Sequence, residues 1–292
     1  MSDMPASLNE PEQQTLATPL LSVEGISVRF AGIKALTDVS FQVMPGELFA
    51  VIGPNGAGKT SLFNVLSRVY QPVAGKVTFD GRDLLKLKTP QVARAGIART
   101  FQNLGQFPST TVLDYLLVGR HTRMHSGILR GGIYIGMTFN EEKKNRAYCL
   151  HLLDLLGLNH VSNYPLGSLP YGLQKRVDLA RALALEPRLL LLDEPVAGMS
   201  LEETEDIASV ILDIKEQLGV TQILVEHDMA LVMGIADHVL VLDFGRVIAQ
   251  GSPAEVQANP DVIKAYLGED FGNKQLQDEV AADALIPADD SW

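Results

Sequence analysis

The chain has 292 residues, is 46% apolar, and carries one cysteine and a formal net charge of -11. That length buries a full core in one elaborate domain or two lobes; the single Cys149 excludes a disulfide framework or a thiolate metal cluster; and no apolar run reaches the roughly 20 residues of a membrane-spanning helix. The charge lies at the ends, with residues 1–19 summing to -3 and residues 269–292 to -6, and the remaining body of -2 lacks the basic stripe that wide nucleic-acid contact needs. Both ends are expected to be solvated flexible tails. The chain is expected in the cytosol, because its start lacks a basic segment followed by an apolar one.

From Leu20 to Val43 the alternation in Leu21-Ser22-Val23-Glu24 and Val39-Ser40-Phe41-Gln42-Val43 predicts half-buried strands of an antiparallel sheet. The apolar run Leu48-Phe49-Ala50-Val51-Ile52 then leads into Gly53-Pro54-Asn55-Gly56-Ala57-Gly58-Lys59-Thr60-Ser61, which fits G-x-x-x-x-G-K-T. A glycine-rich turn alone is an ordinary strand-to-helix connection. Here the spacing, the Lys-Thr pair and the preceding strand coincide, and together they mark a phosphate-binding loop. Glycines let the chain curl so that backbone N–H groups converge on a polyanion at a helix start. Lys59 is placed to reach the outer phosphates and Thr60 to hold Mg²⁺. Ser61 to Val69 reads as a helix with Leu62, Val65, Leu66 and Val69 on one side, and Gly75 to Gly81 as a turn, a strand and a turn.

From Thr89 the pattern turns helical, over 90–96, 111–119 and 141–157. The segment Gly119 to Asn140, broken by Gly127, Gly131, Gly132 and Gly136, is either a loop with an apolar side for a partner or an insertion folded on its own domain. Gly172 to Leu185 reads as a helix, and Arg188 to Glu194 as a buried parallel strand ending in the acids Asp193 and Glu194. Leu201 to Leu218 is an acidic amphipathic helix. Thr221 to Glu226 is a further buried strand ending at His227, and Val239–Asp243 pairs with Arg246–Ala249 around Phe244-Gly245. Strands alternating with helices call for a parallel α/β core whose ligands sit at the carboxyl ends of its strands.

These motifs, in this order, resemble the nucleotide-binding subunit of ATP-binding cassette (ABC) transporters over roughly residues 20–268. The similarity is greatest to the ATPases of branched-chain amino acid importers, the Liv type. It is carried by Arg94 to Gln102, by Leu169-Pro170-Tyr171-Gly172-Leu173-Gln174, by Val225-Glu226-His227-Asp228-Met229, and by Val262 to Gly268. The resemblance implies a P-loop NTPase (RecA-like) core with a parallel sheet, an N-terminal antiparallel β subdomain and an inserted helical subdomain. The core with the β subdomain would take residues 20–89 and 166–268, and the helical subdomain residues 90–165.

It also implies ATP and Mg²⁺ as cofactors. Asp193 would hold the metal's hydration shell, Glu194 would act as general base, and Gln102 would sense the γ-phosphate and metal. His227 would bridge the γ-phosphate and an opposing subunit. Phe30 matches the adenine-stacking aromatic of the family, although a core phenylalanine accounts for it equally well. The implied partners are a second ABC ATPase, two integral membrane permease subunits and, through them, a solute-binding protein, with no nucleic acid. The implied location is the cytoplasmic face of the inner membrane, as a peripheral subunit.

Two positions depart from the family pattern. Pro170 stands where a serine hydroxyl and N–H grip the nucleotide of the other subunit, and it has neither donor. Ser200 stands where most members carry an aspartate that contacts that subunit. Both departures serve the partner's nucleotide, so an asymmetric pair with a different, serine-bearing ATPase is expected. An ATPase of a lipid or lipopolysaccharide exporter, or a soluble cassette ATPase of translation or DNA repair, would share the core motifs. The last usually has two cassettes or a long coiled coil, and this chain has one phosphate loop and no sustained heptads.

Overall fold

A computed structural model describes residues 18–100, 107–120 and 135–266, with the backbone alone for 135–140. In chain order its elements are β1 (Leu21–Phe30), β2 (Ile33–Val43), β3 (Leu48–Ile52), α1 (Lys59–Leu66), β4 (Ala74–Phe79), β5 (Arg82–Asp83), α2 (Thr89–Ala95) and β6 (Ile97–Arg99). There follow α3 (Val112–Arg120), α4 (Ile135–Leu155), α5 (Tyr171–Leu183), β7 (Leu189–Asp193), α6 (Leu201–Leu218), β8 (Thr221–Val225), α7 (Met229–Ile235), β9 (His238–Asp243), β10 (Arg246–Gly251) and α8 (Pro253–Gln257).

The alternation in the first strands buries Leu21, Val23, Phe41 and Val43 on one side of an antiparallel sheet ordered β2-β1-β4-β5, with Leu21 opposite Val43 and Val23 opposite Phe41. The second sheet is ordered β10-β9-β3-β8-β7-β6 and is parallel except for its edge pair β9 and β10. Its central strands read as unbroken apolar runs because both faces are covered. Leu48, Ala50 and Ile52 of β3 join Leu190, Leu192 and Val241 against the helices α3 to α7, while Phe49 and Val51 join Leu191, Val225 and Leu242 against α1 and the antiparallel sheet. The side-chain period of a strand thus sorts one run into two cores.

Helix α6 lays Ile207, Val210, Ile211 and Ile214 on the sheet at helical spacing. It is closed at both ends, by the Ser200–Glu203 capping box and by Gly219 in the left-handed region at φ 62°.

Three expectations are revised. The helix after the phosphate loop stops at Leu66, because Arg68 adopts φ 59° and the N–H groups of Val69 and Tyr70 both donate to Asn64 O; Val69 is turned out to solvent rather than into the core. Residues 97–99, assigned by the boundary at residue 90 to the helical subdomain, form the edge strand β6, whose Ile97, Ala98 and Arg99 lie beside Leu189, Leu190 and Leu191. Strand pairing therefore puts them in the parallel sheet. Residues 135–140, read as part of an irregular segment, are the first turns of α4. Residues 121–134, and the tails 1–19 and 269–292 apart from Thr18 and Pro19, lie outside the described residues.

Cys149 on α4 is fully buried between Leu152, Leu153 and their neighbours, and burial pushes its thiol up to about 11 against a smaller opposing pull from Arg120. Only the thiolate is nucleophilic, so alkylation by iodoacetamide at pH 8 should run about 10²-fold slower than at an exposed cysteine and recover in denaturant. Fast labelling of the native protein, followed by mass spectrometry, would contradict this packing.

Candidate active site

Val51 lies beside Val225, and Val225 beside Asp193, in adjacent parallel strands. With strands about 4.8 Å apart, the chain ends of β3, β8 and β7 leave the sheet within about 10 Å of one another. The phosphate loop, Glu226-His227 and Asp193-Glu194 are gathered by that register alone.

The loop is shaped by close backbone approach. Gly53 has φ 145°, and a Cβ there would lie 2.0 Å from Leu242 O; Gly58 has φ 105°, and a Cβ would lie 2.6 Å from Ala35 O. The turn between β9 and β10 braces the loop, since the Gly245 N–H donates to Ala57 O at 2.9 Å while Gly245 O accepts from the Thr37 N–H at 2.8 Å. Helix α1 starts from Gly58 with no side-chain cap, which leaves first-turn N–H groups for a ligand. The Lys59 ammonium is buried and folded back on the loop, donating to Gly53 O and, at 3.0 Å, to Pro54 O. Thr60 is exposed beside it, and Pro54, Asn55, Gly56 and Ala57 line a cleft open to solvent.

Asp193 is 2% exposed. Its Oδ2 accepts from Arg99 Nη2 at 2.6 Å, and the same guanidinium donates to Asn64 Oδ1 at 2.8 Å and lies over the Phe63 ring. Oδ1 of Asp193 is buried without a hydrogen-bond partner. A buried orphan oxygen on a carboxylate is a place for an ion or its water, so these residues fit a hard cation. Among the described residues there is no group of three or more His, Cys, Asp or Glu that could hold a metal ion.

Glu194 is half-buried and sits at φ 47°, with its N–H donating to Val225 O at 2.9 Å. A non-glycine residue held there costs about 1–3 kcal/mol and persists where the surroundings over-determine it. His227 is exposed at the end of β8. Glu226, next to it, is fully buried. Its Oε1 accepts from the Val196 N–H and its Oε2 from the His227 N–H, both at 3.1 Å. Burial pushes its carboxyl above the ordinary range, the two N–H donors and His227 pull it back, and the nearby Glu194 adds to the rise.

The chain matches, over residues 36–197, the family model described as ABC transporter, and over residues 246–272 the model described as Branched-chain amino acid ATP-binding cassette transporter. The chain belongs to the ABC transporter family. Among its relatives in that family, it is 40% identical to the high-affinity branched-chain amino acid transport ATP-binding protein BraF of Pseudomonas aeruginosa, across 87% of this chain and 100% of the relative. It is 38% identical, over the same shares, to LivG of Escherichia coli, named for the same transport. A solved ABC transporter cassette in its ADP conformation superposes with TM-score 0.76 at 31% identity, covering 86% of this chain and 99% of that one.

Residues 53–61, Asp193, Glu194 and His227 share one sheet edge, while Gln102 falls outside the described residues. Phe30 is 41% exposed, edge-on to Tyr70 with ring centroids 4.7 Å apart, so the core alternative for it is withdrawn. The loop 169–174 stands elsewhere, at the start of α5 against the first turns of α6, where Arg176 pairs with Asp206 at 2.5 Å. Leu169 there is buried, Pro170 and Tyr171 are exposed, and Gln174 Nε2 donates to Leu169 O at 2.8 Å.

Sequence reading missed two residues, Arg99 and Glu226. Arg99 stands in the quoted run before Gln102, but nothing local pairs it with a residue 94 positions on. Glu226 carries a signal, an acid directly after a buried strand.

Replacing Arg99 with glutamine leaves Asp193 charged and buried without its cation. Because the Arg99 side chain is 22% exposed, the loss is below that of a fully buried pair, about 2–3 kcal/mol. A urea midpoint unchanged by Arg99→Gln would show that the pair contributes nothing.

Proposed function

We propose that this chain is the ATP-hydrolysing subunit of an importer for branched-chain amino acids or related small polar or carboxylated solutes. The reading is supported chiefly by one observation: a glycine-shaped phosphate loop and the Asp193-Glu194 pair share one sheet edge in a chain 40% identical, over its relative's full length, to a branched-chain amino acid transport ATP-binding protein.

The amides of residues 53–61 and Lys59 hold the outer phosphates of ATP, and Phe30 offers its exposed ring to adenine. Lys59 exchanges its contacts with Gly53 O and Pro54 O for phosphate oxygens. Glu194 accepts a proton from the attacking water. His227 hydrogen-bonds the γ-phosphate across to an opposing subunit. Bound Mg²⁺ supplies neutralisation of the developing phosphate charge, and Thr60, Gln102 and Asp193 are the side chains that hold it or its water.

The partners are a second ABC ATPase and two membrane permease subunits, with a solute-binding protein delivering the cargo, and the place is the cytoplasmic face of the membrane. Among the described residues no helix is long and apolar enough to cross a bilayer, which suits a peripheral subunit. The core takes residues 20–89 and 166–268 together with strand β6, and the rest of 90–165 is the helical subdomain that passes closure to the permeases. Pro170 makes this chain a weak second half for its partner's nucleotide. A hydrogen bond to a charged group is worth about 1.5–3 kcal/mol, or roughly ten- to a hundredfold in an equilibrium. The opposing ATPase is therefore a different chain that completes the site on residues 53–61.

Glu194→Gln in the assembled complex should lower ATP turnover by about 10²-fold or more while ATP affinity is kept. Turnover near wild type would overturn the asymmetric assignment. Uptake of leucine into proteoliposomes by the complex, absent with Lys59→Ala, tests the transport reading.

A further inference from the structure

The carboxylate of Glu226 is fully buried at the sheet edge and takes no part in the steps proposed for ATP hydrolysis. It is held in place by two different segments. Val196, whose N–H donates to Oε1, is the second residue after Glu194, in a turn closed by Ala197 N–H to Glu194 O at 3.3 Å and Met199 N–H to Val196 O at 3.1 Å. That turn delivers the chain to Ser200, the cap of α6. The other donor is the N–H of His227, whose Nδ1 lies 3.7 Å from the same Oε2. A second tie runs alongside, from the Glu194 N–H to Val225 O at 2.9 Å. The tail of β7 and the tail of β8 are therefore joined twice, once through backbone and once through this side chain.

A charged acceptor suits two converging N–H donors, because each carboxylate oxygen can take one without competition. A glutamine offers one carbonyl oxygen, so one N–H must face an amide NH₂ whichever way the group is turned. Leaving a carboxylate in the interior is otherwise unfavourable, and the two segments it binds carry Glu194 and His227.

We propose that Glu226 is a positioning residue that locks the turn behind Glu194 and the backbone of His227 into one unit, so that contact of His227 with the γ-phosphate and the aim of Glu194 at water are set together. This rests on the ATPase reading above. In this role Glu226 acts through the two backbone N–H groups it accepts from.

The test uses the complete complex with its second ATPase and membrane subunits. Glu226→Gln should lower kcat about 10- to 100-fold while KM and the ATP dissociation constant stay within about twofold, the signature of an interaction that matters after binding. A kcat within about twofold of wild type, or a loss of ATP affinity in step with kcat, overturns the proposal. Wild-type complex that fails to hydrolyse ATP would overturn the ATPase reading instead. Amide hydrogen exchange separates the two: peptides holding Val196 and His227 should lose protection together in Glu226→Gln while those of β3 keep theirs. Should that variant not fold, wild-type protein still decides, because the two amides must share one opening rate, and unequal rates overturn the lock.

Discussion

The register of three neighbouring parallel strands is the constraint on which the rest depends. Once Val51, Val225 and Asp193 stand in one row, every residue just beyond them is delivered to the same edge without any loop having to search for it. Parallel strands achieve this because all their carboxyl ends point one way. The row survives because both faces of the sheet are covered, by helices on one side and by α1 with the antiparallel sheet on the other. The burial of whole strands thus brings the edge residues together, and the polar contacts of Arg99 with Asp193 and of Glu226 with two backbone N–H groups then fix them there.

What was legible in the sequence follows from that division. Apolar runs, their alternation and the glycines of the loop have local causes, and Gly53 and Gly58 prove to lie where a Cβ would strike Leu242 O and Ala35 O. Their order gave the α/β core and the edge on which the site stands. Less legible were features decided by what comes from far away. Strand β6 is three residues long and sits in a helical stretch, so only its partner β7 marks it as sheet. Val69 fits the apolar side of α1, yet the left-handed Arg68 ends the helix before it. Arg99 and Asp193 meet across two strands and the end of α1, a pairing that periodicity cannot reveal.

The site also has an internal logic of charge. Asp193 is half neutralised, with Arg99 on one oxygen and the other buried and unpaired, whereas Glu226 has both oxygens on backbone donors. Two buried acids at one edge are thus treated differently. One is left with an oxygen that has no hydrogen-bond partner, and the other is closed off and bound into the scaffold. Glu194 follows Asp193 directly, strained at positive φ and only half-buried.

The departures at Pro170 and Ser200 can be weighed against the chain's own stability. Ser200 caps α6, accepting from the Glu203 N–H at 3.3 Å while the Glu203 carboxylate returns to the Ser200 N–H at 3.0 Å. Aspartate is as good a helix cap as serine, so the fold does not demand serine there. Pro170 occupies the cap of α5 and contributes no side-chain hydrogen bond to it, a position where serine would add one. If anything, the fold loses by carrying proline. Neither residue is therefore required by the stability of this chain.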